Sequence, residues 1–325
     1  MAPPRSTVAL TSGALDLQAR TLRIGTRGSP LALAQAHEVR ARLMAAHGLP
    51  EEAFEIRVYK TTGDVIQDRP LAEVGGKGLF TKEIEEALIA REIDLAVHSM
   101  KDMQTVLPDG LAVGAVLKRE DVRDAFLSLK YASLAALPEG AVVGTSSLRR
   151  QAQVKRLRPD LQVVGFRGNV QTRLKKLADG VADATLLACA GLKRLGMADR
   201  ITAPIATEEI LPAVAQGAIA VEIRGDDAAT AEAVAPLDDA ATGRCVTAER
   251  AFLARLEGSC RTPIAGLAEL LGDTLRLRGM VFSVDGERSF DITRDGPADS
   301  ADARGTAAAD ALIELGAHAL LARSF

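Results

Sequence analysis

Leu22-Arg23-Ile24-Gly25-Thr26-Arg27-Gly28-Ser29-Pro30-Leu31-Ala32-Leu33 joins a short apolar strand, Leu22–Gly25, to a helix read over Leu31–Ala46. Ser29 suits the N-cap, where a hydroxyl accepts an unpaired backbone N–H. Pro30 suits the first helical position, where no N–H is needed. The junction sets the Arg27 guanidinium beside a helix N-terminus, which already favours an anion.

The same strand-to-helix alternation continues outward to about Ile223. Further strands read as Glu55–Tyr59, Leu95–His98, Leu111–Leu117, Ala141–Gly144, Gln162–Gly165, Ala184–Ala188 and Ala218–Ile223. Further helices read as Lys82–Arg91, Leu148–Arg156, Val170–Ala178 and Gly191–Leu195. Such alternation predicts α/β layers with largely parallel sheets. Gly225–Gly243, rich in Gly, Asp and Ala, reads as a connection.

Beyond it the pattern changes. Cys245–Glu257 reads as a helix, followed by the loop Gly258-Ser259-Cys260-Arg261-Thr262-Pro263. Leu275–Val284 and Phe290–Thr293 read as antiparallel strands turning at Asp285-Gly286, and Ala307–Arg323 as a closing amphipathic helix. This end is a small α+β domain.

At 325 residues the chain suits two or three domains, and 47% apolar with 26% charged residues is the composition of a globular protein. The net charge of −3 argues against a general nucleic-acid binder, although Arg149, Arg150, Lys155, Arg156 and Arg158 cluster on one helix. No run approaches the ~18 apolar residues of a membrane span, and the first twenty residues read as a loose tail rather than a secretory signal. A cytoplasmic location is expected. Cys189, Cys245 and Cys260 are too few and too scattered for a disulfide framework, and no spacing suggests a metal site. Cys189 lies in an apolar run and Cys245 opens a helix, so both read as packing residues. Cys260 sits in a Gly/Ser turn that leaves a thiol accessible, with Arg261 beside it to favour the thiolate.

In open α/β sheets ligands gather beyond the carboxyl ends of the strands. Here those ends carry Arg27 with Ser29, then Thr145-Ser146-Ser147-Leu148-Arg149-Arg150, then Arg167-Gly168-Asn169 with Arg173 one turn further. Any one of these arginines alone reads as solvated. Their repetition at successive strand ends points to a polycarboxylate ligand, which paired Arg-to-carboxylate bonds suit. Gly75-Gly76-Lys77-Gly78 lacks the spacing of a P-loop or dinucleotide fingerprint. It reads as a flexible loop by the site, with Lys77 as an extra cation. His98-Ser99-Met100-Lys101-Asp102 brings a carboxylate to this cationic rim, where it stays ionised and suits stabilising a cation or shuttling a proton. His98 reads as a core or supporting residue.

Together these segments resemble the porphobilinogen deaminase (hydroxymethylbilane synthase) family from about Leu22 onward. The resemblance is carried by Arg27-Gly28-Ser29-Pro30-Leu31-Ala32-Leu33, Gly75-Gly76-Lys77-Gly78-Leu79-Phe80 and His98-Ser99-Met100-Lys101-Asp102. Gly144–Gln151, Arg167–Val170, Ala190–Gly196, Leu211–Gly217, Glu249-Arg250 and the Cys260 loop continue it in order.

The resemblance implies three domains: two similar α/β units like those of two-lobed binding proteins, and a small α+β C-terminal domain. Residues 21–118 with 217–238 would form the first, 119–216 the second and 239–325 the third, after a tail over 1–20. It implies a dipyrromethane cofactor held by a thioether to Cys260 and contacted by Ser99, Lys101, Asp102, Thr145, Ser146, Ser147, Arg149, Arg150, Arg167 and Gly168. The substrate would be porphobilinogen, a small molecule, with its carboxylates held by Arg27, Ser29, Lys77, Arg149, Arg150, Arg167, Asn169, Arg173 and Arg194. Loss of ammonia would leave an azafulvene that the growing chain attacks, with Asp102 as the catalytic carboxylate. Four additions and a hydrolysis would release hydroxymethylbilane. A monomer without nucleic-acid or membrane partners is expected.

The sequence departs from the family at Glu73, where lysine is usual, and at Gln104, where proline is. It also departs at Ala34, often tryptophan, and Ser259, often glycine. These bear on kinetics and loop dynamics. A non-catalytic two-lobed carboxylate-binding protein is the rival reading; it accounts for the arginines but not for Asp102 among them or for the Cys260 loop.

Overall fold

A computed structural model describes residues 20–65, 78–259 and 262–321. The tail over 1–19, the segment 66–77 with Glu73 and Lys77, and the pair Cys260-Arg261 therefore lie outside the described residues.

Three sheets organise the chain. The first contains β1 (Leu22–Arg27), β2 (Phe54–Tyr59), β3 (Leu95–Ser99), β4 (Leu111–Val116) and β10 (Ile219–Arg224), in the order β2-β1-β3-β10-β4. The second contains β5 (Asp124–Leu127), β6 (Val142–Gly144), β7 (Gln162–Val164), β8 (Ala184–Ala188) and β9 (Ala203–Pro204), in the order β7-β6-β8-β5-β9. The third is an antiparallel meander of β11 (Ile264–Leu271), β12 (Thr274–Phe282) and β13 (Ser289–Pro297).

The sheets are largely parallel, as expected, with four of the five strands in each running one way and one strand reversed. β1 runs parallel to β2 and β3, but β10 is antiparallel to both β3 and β4. Likewise β6 is parallel to β7 and β8, whereas β5 is antiparallel to β8 and β9. The reason is topological. The chain leaves the first sheet after β4 and returns to it as β10, so the returning strand enters from the opposite end. β5 and β9, of 4 and 2 residues, were not read as strands from sequence.

Around the first two sheets lie α1 (Pro30–His47), α2 (Thr62–Val65), α3 (Lys82–Ile89), α4 (Leu148–Leu157), α5 (Val170–Ala178), α6 (Cys189–Arg194) and α7 (Ala228–Val234). The stretch Gly225–Gly243 is thus not a plain connection, since it holds α7 and the start of α8 (Ala240–Arg255). Asp227 and Asp239 cap these two helices, accepting the Thr230 and Thr242 amide N–H groups at 3.0 and 2.8 Å. Cys245 consequently lies inside α8 rather than at its start. The closing helix is also two: α9 (Ala301–Glu314) and α10 (His318–Leu321), broken at Gly316, whose φ is +96°.

Each sheet has its own apolar core. Leu22, Ile24, Val39, Leu95 and Val221 pack in the first, and Phe126, Val143, Val154 and Leu186 in the second. Phe252 of α8 packs with Leu275, Leu277 and Leu312 in the third. Two chain crossings join the first two sheets, one after β4 and one before β10. They touch where Glu120 N–H donates to the Gly217 carbonyl at 3.2 Å. Gly217 has φ +91°, and a Cβ there would stand 2.5 Å from the Glu120 carbonyl oxygen, so only glycine fits.

Candidate functional site

The carboxyl ends of the parallel strands of both sheets face one cavity of about 670 Å³, within the ~300–1,000 Å³ range of small-molecule sites. Three helix N-termini reach it. Ser29 caps α1 by accepting the Ala32 amide N–H at 3.3 Å, and Ser147 caps α4 by accepting that of Arg150 at 3.4 Å. Asn169 caps α5 by accepting that of Thr172 at 2.8 Å. These sequences therefore stop strands and start helices at one rim, and the aligned peptide dipoles give it a positive potential.

Side chains add to that potential. Seven described cations line the cavity, Arg27, Lys60, Lys101, Arg149, Arg150, Arg167 and Arg173, against the carboxylates of Asp64 and Asp102. An anionic ligand with several carboxylates would offset this excess.

β3 ends at Ser99 and tightens into a 3₁₀ turn, Met100–Asp102, which turns Lys101 and Asp102 toward the cavity. The Asp102 carboxylate stands 4.0 Å from Arg27 Nη1. Lys101 Nζ donates to Gln216 Oε1 at 3.5 Å. Desolvation lowers its pKa to about 8, against the attraction of Asp102. Ser99 Oγ donates to Gln35 Oε1 at 3.1 Å. Arg27, at the end of β1, is paired with Asp64 and stacks on the Phe80 ring at 4.3 Å from its centroid.

On the opposite side Arg149 and Arg150 are buried, only 4% and 6% exposed, yet both border the cavity. They share one counter-ion: Arg149 Nη2 is 2.8 Å and Arg150 Nη2 2.7 Å from the fully buried Asp124 carboxylate. Burial would raise the pKa of Asp124, but the two guanidiniums hold it well below the usual carboxylate range. Arg173 Nε donates to the Gly168 carbonyl at 2.9 Å, and burial together with Arg150 and Arg167 pulls its pKa down to about 10. Ser146 Oγ accepts the Phe166 amide N–H at 2.8 Å, which ties the β6 and β7 ends together.

Most residues selected from sequence thus border one space. Two do not. Thr145 is buried beneath it, accepting the Ser147 amide N–H at 3.2 Å. Arg194 instead donates to the Gly217 carbonyl at 2.9 Å and pairs with Glu38 of α1 at 3.4 Å. Lys77 and Cys260 lie outside the described residues, but Ser259 and Thr262, on either side of the Cys260-Arg261 pair, line the cavity. The other two thiols suit packing, since burial pushes both Cys189 and Cys245 up to about 11. The basic cluster of α4 is no open cationic face either: Lys155 donates to the Pro159 and Leu161 carbonyls, and Arg158 pairs with Asp160.

Sequence reasoning missed Lys60, Asp64, Phe80, Asp124 and Gln216. Lys60 follows the end of β2 and was open to the strand-end argument. Phe80 and Gln216 lie in stretches that carry the family resemblance, whereas Asp64, in a short helix, and Asp124, in a four-residue strand, carry no local signal for the site.

The model of the porphobilinogen deaminase dipyromethane cofactor binding domain matches residues 22–232, and that of the porphobilinogen deaminase C-terminal domain residues 243–314. A porphobilinogen deaminase of Paracoccus denitrificans is 63% identical over 291 residues, covering 90% of this chain and 93% of that protein. One of Nitrobacter hamburgensis is 57% identical over 304 residues, covering 94% and 95%.

Proposed function

The chain belongs to the porphobilinogen deaminase family, and we propose that Cys260 carries its dipyrromethane cofactor while Asp102 is its catalytic carboxylate. The activity is a transferase reaction: four porphobilinogen molecules condense head to tail with loss of ammonia, giving hydroxymethylbilane. The observation that carries the site assignment is the single cavity that joins cations of both larger sheets, Asp102 and the two flanks of Cys260.

The cavity fits the cofactor in three respects. Its charge excess matches a ligand bearing several carboxylates, and its volume suits two linked pyrroles with room to grow. Its border at Ser259 and Thr262 offers a tether point. When bound, dipyrromethane supplies a fixed primer whose free pyrrole carbon is the nucleophile. Arg149, Arg150, Arg167 and Arg173 hold acetate and propionate side chains, with Ser146 and Ser147 hydroxyls and the α4 and α5 N-termini beside them. Arg27, Ser29, Ser99 and Lys101 do the same on the other side. Asp102 accepts pyrrole N–H groups and balances the positive charge that develops on the substrate as ammonia departs. Such positioned acid–base groups contribute ~10²–10⁴-fold.

The same reading divides the chain into 21–118 with 217–238, 119–216 and 239–325, supported by each set supplying one sheet. It also has the protein working in the cytoplasm as a monomer, without nucleic-acid or membrane partners. Among the described residues no helix is long and apolar enough to cross a membrane.

The test is intact mass spectrometry of the denatured protein. Wild type should exceed its sequence mass by two pyrrole units and colour with Ehrlich's reagent, and Cys260→Ala should do neither. An unmodified wild type, before and after incubation with porphobilinogen, would sink the reading in favour of simple carboxylate binding.

A further inference from the structure

Arg149 and Arg150 are consecutive residues on α4, so their side chains leave the helix about 100° apart. Both nevertheless come to the same cavity, and what draws them together is one carboxylate. Asp124, the first residue of β5, is fully buried between them, with Oδ2 2.8 Å from Arg149 Nη2 and Oδ1 2.7 Å from Arg150 Nη2. A second bond fixes each fork: Arg149 Nη1 donates to the Leu211 carbonyl at 2.8 Å, and Arg150 Nη1 to that of Leu186 at 2.9 Å.

Asp124 reaches further through Gln216, in the returning crossing. Gln216 Nε2 donates to Asp124 Oδ1 at 2.9 Å and to the Val122 carbonyl at 2.8 Å. Its Oε1 accepts from Lys101 Nζ at 3.5 Å. Lys101 belongs to the turn after β3 of the first sheet, next to Asp102, whereas Asp124, Arg149 and Arg150 belong to the second. Gln216 is therefore an amide whose two ends hold groups from different sheets.

We propose that Asp124 and Gln216 are positioning residues. Asp124 aims the Arg149–Arg150 pair at the cofactor carboxylates, and Gln216 registers that pair with the Lys101–Asp102 turn across the crossing. A buried ion pair by itself is weak grounds for a stability role; here the carboxylate serves two cavity-lining cations and an amide leading to a third. The inference rests on the functional reading above.

The test compares full-length wild type, Asp124→Asn and Gln216→Leu. The readouts are the fraction of molecules carrying the covalent adduct by intact mass, the far-ultraviolet circular dichroism spectrum, and kcat and KM for porphobilinogen. Asp124→Asn nearly preserves shape but removes the charge shared by the two guanidiniums, so it should fold with at least a tenfold lower loaded fraction. Gln216→Leu leaves Asp124 between its arginines, so it should load within about threefold of wild type. Its kcat should fall at least tenfold with KM changed less than threefold, a split that general loosening of the fold would not give.

Loading and turnover within threefold of wild type in both variants would overturn the proposal. If Asp124→Asn does not fold, the kcat-against-KM split of Gln216→Leu decides alone. A wild type without adduct would instead overturn the functional reading, visibly and without any variant.

Discussion

At the scale of single residues, Asp102 and Lys101 are adjacent and separable. Asp102→Asn keeps the size and loses the charge, so turnover should fall ~10²–10⁴-fold while the adduct remains detectable by mass; activity within threefold of wild type would remove Asp102 from the chemistry. Lys101 carries its charge on sufferance, since desolvation holds its pKa near 8, with Asp102 and Asp124 favouring the ammonium and Arg149 and Arg150 opposing it. The unloaded protein should therefore bind anionic pyrroles well below pH 8 and progressively less as pH rises through 8, when the amine becomes neutral. The loading rate of cofactor-free protein at a series of pH values measures this. Lys101→Arg, which stays charged, should flatten the profile, and an unchanged decline in that variant would assign it to another group. The residues facing the ligand were legible because they lie at or just beyond the carboxyl end of a strand or in the first turns of the helix that follows it. Their buried partners were not: Asp124 stands 25 residues before Arg149 in the chain and meets it only through folding.

At the scale of elements, α8 binds the three sheets through one side chain. Glu249 is fully buried and accepts Arg119 Nη1 and Nη2 at 2.6 and 2.9 Å. It also accepts the Ala215 amide N–H at 2.6 Å and that of Ala268 at 2.7 Å. Arg119 lies in the outgoing crossing, Ala215 before β10 and Ala268 in β11, so a single carboxylate closes the junction of crossings and third sheet. Ala215 is held at φ +58°, a conformation that a non-glycine residue keeps only under such constraint. Glu249→Ala should leave Arg119 charged and two buried N–H groups without their acceptor. A loss of ~3–5 kcal/mol follows for a broken buried pair, read as a shifted midpoint in urea, and a loss under 1 kcal/mol would show the junction to be held otherwise. The junction was hidden from sequence because Glu249 reads as one more polar residue on a helix, and β11, which receives one of its bonds, lacks strict alternation. Long elements with clear caps, such as α1, were placed within a residue or two.

For the whole molecule, the decisive quantity is the imbalance of charge around the cavity. The chain is acidic overall at −3, yet seven described cations border a space where two carboxylates do. Asp124 offsets the buried Arg149–Arg150 pair from beneath, but Arg27, Lys60 and Lys101 on one side and Arg167 and Arg173 on the other border the same space, and charges of one sign repel within about one Debye length, ~8–10 Å near physiological ionic strength. Before loading, that repulsion opposes approach of the sheets. After loading, the carboxylates of the tethered pyrroles offset it, and anything that binds the folded chain alone stabilises it. Cys260→Ala, unable to hold the primer, should therefore unfold at a lower temperature than the loaded wild type, by ~3–4 °C for a stabilisation of ~2–3 kcal/mol in a chain of 325 residues. Salt separates electrostatic from contact stabilisation. Raising sodium chloride from 50 to about 500 mM shortens the Debye length from ~14 to ~4 Å and relieves the unloaded cavity more than the loaded one, so the gap in calorimetric midpoints should narrow by at least a third. A gap that persists unchanged across this range would mean that packing of the rings, rather than neutralised charge, stabilises the loaded form.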